Sequence, residues 1–182
     1  GVTLAQLLWY LSNSINTVLY PYLVEKKGQD QHIFTAQVLR VNLYLNLVLL
    51  IGIALTGSML VRLIYGDAYA ESYLVFLAIS PGLLLDTVSR ILSTWFKSIG
   101  RPLTISWISG SALVLNLICN LLLIPWLGIY GAAASSVISY AFRFLIVFKL
   151  YRNVSKLKVS EIFIFNESDR AVMISAMTTL WH

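Results

Sequence analysis

The longest stretch without a charged residue runs from Pro102 to Phe142, which is 41 residues. A helix that crosses a bilayer needs about 20 mostly apolar residues, because hydrocarbon offers backbone groups no hydrogen-bond partner outside the helix. The stretch is too long for one crossing. The segment Pro125–Gly131 divides it, since Pro and Gly stop helices and turn the chain. We therefore predict two consecutive transmembrane helices here, in an integral membrane protein.

The composition of the whole chain agrees with this prediction. Of 182 residues, 58% are hydrophobic and 12% are charged, whereas an average soluble domain carries about 25% charged residues. The net charge of +5 is spread thinly among apolar runs, which favours a basic membrane flank over nucleic-acid binding. The single Cys119 excludes a disulfide framework, and two isolated His make a zinc module improbable. No nucleotide-binding or Cys-x-x-Cys motif occurs, so we expect neither a cofactor nor a bound metal.

The gaps between charges predict an all-α, polytopic transmembrane bundle at residues 1–151. A soluble all-α core is disfavoured by length and hydropathy. Residues 152–182 form a basic tail, in which Ala171–Trp181 is too short to span and is compatible with an interfacial segment. The five predicted helices are residues 1–24, 41–64, 72–97, 102–125 and 131–151.

The basic residues are distributed unequally between the two sides of this bundle. The loops at 25–40 and 97–101, together with Lys149 and the tail, hold ten of the thirteen Lys and Arg residues. The opposite loops hold only Arg62, close to Asp67 and Glu71. Because cytoplasmic loops carry an excess of Lys and Arg, we predict a cytoplasmic C-terminus and residue 1 towards the outside. The chain also begins inside an apolar run without Met, so we expect a fragment of a longer protein.

Asp86 and Arg90 are the first candidates for a functional site, because both are charged and both fall within the third predicted helix. They are four residues apart and therefore share one helix face. An unpaired charge there costs about 2.5–3.5 kcal/mol, so each must meet a partner or water. Either Arg90 binds an anionic substrate while Asp86 holds it or exchanges H⁺ or Na⁺, or the two form a structural ion pair. Arg143, in the last predicted helix, either lines the same path or extends its side chain to the membrane boundary.

Asparagines provide a second group of candidates for the substrate path. Each of three helices carries two of them at helical spacing and therefore one polar face. Such a face can line a cavity or form hydrogen bonds between helices, and for the last pair we favour the second interpretation. The pairs are Asn13 and Asn16, Asn42 and Asn46, and Asn116 and Asn120.

Two further features concern motion and catalysis. Pro81 and Gly82, inside the third predicted helix, are compatible with a hinge for conformational change or with a static kink. Asp67 and Glu71 are spaced like a catalytic carboxylate pair, but no residue nearby supplies an orienting or metal-binding partner. We therefore predict that the chain is not an enzyme and has no catalytic residues.

An ordered series of short motifs over residues 1–158 resembles a known family. The chain is similar to the C-terminal part of the bacterial polysaccharide-export flippases, which belong to the multidrug/oligosaccharidyl-lipid/polysaccharide exporter superfamily. No single motif is specific to this family, but the order and spacing of the motifs together are specific to it. The motifs are Tyr20–Pro21, Leu63–Tyr69, Ser80–Gly82, Gly100–Pro102, Asn116 with Asn120, Leu123–Ala134 and Ser139–Tyr140.

The resemblance implies a C-terminal helix bundle that flanks a central cavity together with a missing N-terminal helix bundle. It implies translocation of polyprenyl-diphosphate-linked oligosaccharide across the bacterial inner membrane by alternating access, for O-antigen, capsule or exopolysaccharide biosynthesis. The implied partners are this lipid-linked substrate, membrane lipids and other polysaccharide assembly proteins, without nucleic acid. Two alternatives stay open: a multidrug/cation antiporter of the same superfamily, and a non-transporting membrane scaffold subunit.

Overall fold

A computed structural model of the chain describes residues 2–25, 28–66 and 70–164. These residues contain no strand, which confirms the predicted all-α class. Four of the helices are long and apolar enough to cross a membrane, as in a multi-pass membrane protein. The helices are α1 (Val2–Glu25), α2 (Gln29–Tyr65), α3 (Ala70–Ser98), α4 (Pro102–Leu127), α5 (Ile129–Ser155) and α6 (Val159–Phe163).

The helix boundaries differ most from the predicted ones in two places. Helix α2 begins at Gln29 instead of residue 41, so the predicted 25–40 loop is wrong over most of its length. The predicted start followed Arg40, because a charge marks the end of an apolar segment. A helix can extend beyond its apolar segment, however, because its backbone hydrogen bonds are internal. At the other end, α5 continues to Ser155, and the short α6 follows where a plain tail was expected. The segment Ala171–Trp181 and Asp67 lie outside the described residues.

Helix α1 is not among the four helices that meet the criterion for a membrane span. It has 24 residues, enough to cross a bilayer by length. However, polar residues interrupt its apolar character at Gln6, Ser12, Asn13, Ser14, Asn16 and Thr17. Several of them are exposed, so one face of α1 is unusually polar for contact with lipid.

Helix α3 occupies the centre of the bundle and contacts all four of the other long helices. Its second half is buried on several faces, with Trp95 and Phe96 among the largest fully buried side chains. The close contact between α3 and α5 depends on Gly82, because a Cβ atom there would lie 2.9 Å from the Cα of Val137. Pro81 precedes it within α3, whose helical assignment continues through both residues. The hinge therefore stays a prediction, whereas helix packing is an observed role of Gly82.

The turn between α4 and α5 consists of Gly128 alone, in a conformation with φ of 55° that suits glycine. Helix α4 continues through Pro125 to Leu127 before this turn. The predicted break within Pro125–Gly131 is therefore confirmed, and it falls at Gly128. The tight turn makes α4 and α5 antiparallel neighbours.

Candidate functional site

Asp86 lies at the contact between α3 and α5, and its side chain is 0% exposed. The carboxylate accepts hydrogen bonds from two guanidinium groups. Arg90 Nε donates to Oδ2 at 2.7 Å, and Arg143 Nη1 donates to Oδ1 at 3.0 Å. The predicted pairing of Asp86 with Arg90 on one helix face is thus observed, and Arg143 joins them from α5.

Charge explains why these three side chains occur together. An isolated carboxylate buried in a helix bundle would cost several kcal/mol, and two opposite charges in hydrogen-bond contact compensate this cost. With all three groups ionised, the cluster carries a net charge of +1. The arginine side chains stay 26% (Arg90) and 19% (Arg143) exposed, so the positive charge is accessible while the negative charge is not.

Arg90 connects this cluster to α1. Its guanidinium carbon lies 5.0 Å from the centre of a Trp9 ring, which is within the range of a cation–π contact. Its Nη1 lies 3.4 Å from Oδ1 of Asn13. Further along α1, Oδ1 of Asn16 accepts a hydrogen bond of 2.7 Å from Thr94 Oγ1. Of the two predicted path residues of α1, Asn13 therefore borders the cluster directly, whereas Asn16 contacts Thr94 and not the cluster itself.

Arg143 connects the cluster to a cavity between α4 and α5. Its Nη2 also lies 3.3 Å from Ser93 Oγ, so the guanidinium extends to α3 and not to the membrane boundary. The cavity has a volume of about 250 Å³. Its lining is mostly polar or small: Ser109, Ala112, Leu113, Asn116, Ser136, Ser139, Tyr140 and Arg143.

Two nitrogen donors at the cluster are buried and find no hydrogen-bond partner within the described part of the chain. They are Trp9 Nε1 and Arg143 Nε. Buried polar groups in proteins are nearly always satisfied, and such exceptions are commonly met by water or a ligand. Arg143 belongs to the cluster and Trp9 packs on Arg90, so both unpaired donors lie at this site.

The two asparagines of α4 form a hydrogen bond with each other. Asn120 Nδ2 donates to Asn116 Oδ1 at 2.9 Å, so the bond lies within one helix. In the described residues neither side chain hydrogen-bonds to another helix, so interhelical bonding stays a prediction for this pair. Asn116 instead lines the cavity beside Arg143. Helical spacing placed the two amides on one face but did not identify what that face contacts.

The asparagines of α2 have a structural role. Asn42 and Asn46 are fully buried. Ser12 of α1 donates to Asn42 Oδ1 at 3.1 Å, and Asn46 Nδ2 lies 3.0 Å from the same oxygen and 3.3 Å from Ser12 Oγ. This arrangement is the interhelical hydrogen bonding that the sequence left open, and it joins α1 to α2.

Sequence reasoning missed Trp9, Ser93 and Thr94. The helical period was an available signal: Trp9 precedes Asn13 by four residues, and Ser93 and Thr94 follow Asp86 by seven and eight. Among the described residues, no three His, Cys, Asp or Glu side chains come together in a way that would hold a metal ion.

Comparison with known proteins finds no matching family model, no matching curated protein and no matching solved structure.

Proposed function

We propose that this chain is part of a membrane transporter that carries an anionic lipid-linked substrate, polyprenyl-diphosphate-linked oligosaccharide, across the bacterial inner membrane. The observation that carries the proposal is the buried carboxylate of Asp86 between two partly exposed guanidinium groups. It leaves an accessible positive charge inside a helix bundle. Intramembrane charges that face a bundle interior typically belong to substrate or ion pathways.

The surroundings of the cluster suit such a substrate. A diphosphate needs cationic N–H donors, and guanidinium groups bind phosphate with two parallel hydrogen bonds. Sugar hydroxyls removed from water need new hydrogen-bond partners. Asn13 and Trp9 beside Arg90, and the hydroxyl and amide groups of the cavity beside Arg143, offer such partners.

Asp86 has a separate role in this proposal. It orients both arginines and compensates their charge while no substrate is bound. A diphosphate would compete with the carboxylate for the same N–H groups. Substrate binding would thus act through one carboxylate on two arginine side chains.

The remaining partners belong to the same proposal. The five long helices would pair with an N-terminal helix bundle across a central cavity, and the polar face of α1 beside Arg90 would border that cavity. The C-terminus would be cytoplasmic, as the excess of Lys and Arg at that end favours. The glycan would serve O-antigen, capsule or exopolysaccharide synthesis, together with other assembly proteins.

One observation favours a second candidate, a non-transporting scaffold subunit. Asp86 bonds to arginines on both α3 and α5, as a structural tie between helices would. The cation antiporter is less compatible with the site, because one carboxylate between two guanidinium groups leaves a positive charge that repels cations.

The test uses the native gene in cells that depend on it for surface polysaccharide. We expect Arg90→Gln and Arg143→Gln each to reduce polysaccharide export per molecule of protein, and Arg62→Gln, at an exposed arginine in the last turn of α2, to leave it unchanged. Accumulation of lipid-linked oligosaccharide inside the cell would identify the blocked step. If Arg90→Gln and Arg143→Gln lowered the amount of protein but not export per molecule, the scaffold would be the correct function.

A further inference from the structure

Six basic side chains are exposed at one end of the bundle. At that end α3 finishes, α4 starts and α5 finishes, and the rings of Trp95 and Tyr151 pack there with their centres 5.0 Å apart. In the described part of the chain none of the six forms an ion pair. We call them the basic rim: Lys97, Arg101, Lys149, Arg152, Lys156 and Lys158.

Helix α6 fixes the last part of this rim. After Lys156, which adopts a left-handed conformation with φ of 56°, the chain folds back onto α2. Ile162 of α6 is fully buried, and Arg40 of α2 donates a hydrogen bond to the backbone oxygen of Glu161. Tyr44 donates to the oxygen of Phe163 at 3.3 Å. The end of α6 therefore has partners for its backbone carbonyls, and the preceding lysines are held at the bundle end.

The position of the rim distinguishes a lipid surface from a soluble acidic partner. Lys97 and Lys149 are near the ends of the membrane-spanning segments Tyr73–Ser98 and Ile129–Ser155, which places them at the level of the headgroups. Val159 and Ile164 are exposed next to the lysines. Basic side chains beside exposed apolar ones at the end of spanning helices suit an interface where phosphate and acyl chains meet.

We propose that the basic rim binds the headgroups of anionic phospholipids in the leaflet that it faces, and that α6 holds Lys156 and Lys158 in place for this contact. The binding follows from charge complementarity and from the location of the rim. It is independent of the transported substrate, and it would hold equally for a scaffold.

The experiment measures energy transfer from tryptophan to pyrene-labelled lipid, with the full chain in phosphatidylcholine vesicles. The probe is a trace of pyrene-labelled phosphatidylglycerol, compared with pyrene-labelled phosphatidylcholine. Trp107 and Trp126 are both strongly exposed and lie near opposite ends of α4, with Trp107 about 8 Å from the end next to Arg101. Trp107→Phe and Trp126→Phe variants therefore report which end the anionic lipid contacts.

We expect the native chain to prefer phosphatidylglycerol, by roughly five-fold for each lysine that contacts a headgroup. The preference should fall in a K149Q/K156Q/K158Q variant to what Lys97, Arg101 and Arg152 still provide. It should be kept in the matched K149R/K156R/K158R variant, which preserves charge at the same positions. The excess transfer to phosphatidylglycerol should fall in Trp107→Phe and persist in Trp126→Phe. It should also weaken with NaCl, because salt screens exposed charges.

Three results would overturn the proposal. The first is an equal preference in the native chain and the Gln variant while both keep their helical content. The second is a preference that depends on Trp126 instead of Trp107. The third is displacement by inorganic phosphate beyond that of NaCl at equal ionic strength, which would make the rim a site for soluble phosphate compounds.

Discussion

Asp86→Asn removes the negative charge that is paired with both Arg90 and Arg143 and keeps nearly the same side-chain volume. Two guanidinium groups then lack their ionic partner inside the bundle. Insertion measurements give about 2.5–3.5 kcal/mol for each such charge, so about 5–7 kcal/mol is the upper limit. The arginine side chains are 26% and 19% exposed, so water offsets part of this cost. We expect a loss of about 3–5 kcal/mol in the free energy of unfolding, the range for breaking a buried ion pair from one side.

Single arginine substitutions should cost less than Asp86→Asn, because the carboxylate keeps its other arginine in each case. We expect about 1–3 kcal/mol for Arg90→Gln or Arg143→Gln, since each removes one charged hydrogen-bond donor to a buried oxygen. The triple variant, which combines Asp86→Asn with both arginine substitutions and so neutralises all three charges, should be more stable than Asp86→Asn alone. No unpaired charge is then left, and effects within one cluster do not add.

The assay is equilibrium unfolding in detergent or bilayer, followed by far-UV circular dichroism, with Asp30→Asn as the control. Asp30 is an exposed carboxylate near the start of α2, so its substitution should change stability by less than about 0.5 kcal/mol. A loss below about 1 kcal/mol for Asp86→Asn, or a triple variant less stable than Asp86→Asn, would refute the electrostatic account of the cluster.

Three other predictions concern packing. Gly82→Ala should lower the free energy of unfolding by about 1–3 kcal/mol, because its Cβ would meet the α5 backbone. The control Gly110→Ala has no atom within 4 Å of the added Cβ and should raise that free energy. Equal effects of the two substitutions in thermal melts would contradict the close contact. Asn42→Leu should cost about 0.6–1.7 kcal/mol through lost hydrogen bonds between α1 and α2, and a stabilised variant would argue against them. Arg40→Gln should increase the rate of amide hydrogen exchange in α6 about ten-fold or more, because it removes a charged donor to the Glu161 carbonyl. The exchange rate in α3 should stay unchanged and serves as the control.

The sequence was sufficient to predict the class of fold because its strongest constraint is local. A stretch such as Pro102–Phe142 cannot satisfy its backbone in hydrocarbon except as helices, whatever surrounds it. Helix limits outside the apolar segments were less predictable. A charge marks where hydrocarbon ends, but α2 extends back through Arg40 to Gln29. Arg40 is buried within this helix and bonded to the backbone of α6. That contact joins segments far apart in the chain, and no local pattern signals it.

The candidate site likewise has one part that the sequence predicts and one part that it does not. The pairing of Asp86 with Arg90 follows from a spacing of four residues in one helix, and it is present in the structure. The contact of Asp86 with Arg143 depends on how closely α5 approaches α3, which Gly82 allows. A glycine in a helix indicates close approach without naming the neighbour, so the sequence left two interpretations of Arg143 open.

The contact of both arginines with one carboxylate, that of Asp86, has a physical consequence for ligand binding. Arg90 extends from Asp86 towards Trp9 and Asn13 of α1, and Arg143 extends from it towards the cavity between α4 and α5. Each is bonded to one oxygen of the same carboxylate. An anion that draws one guanidinium away leaves Asp86 more strongly attracted to the other, so the two polar regions are coupled through a single side chain. A structural ion pair needs only one arginine, whereas an arrangement that exposes two at separate polar surfaces can respond to a charged ligand at either one.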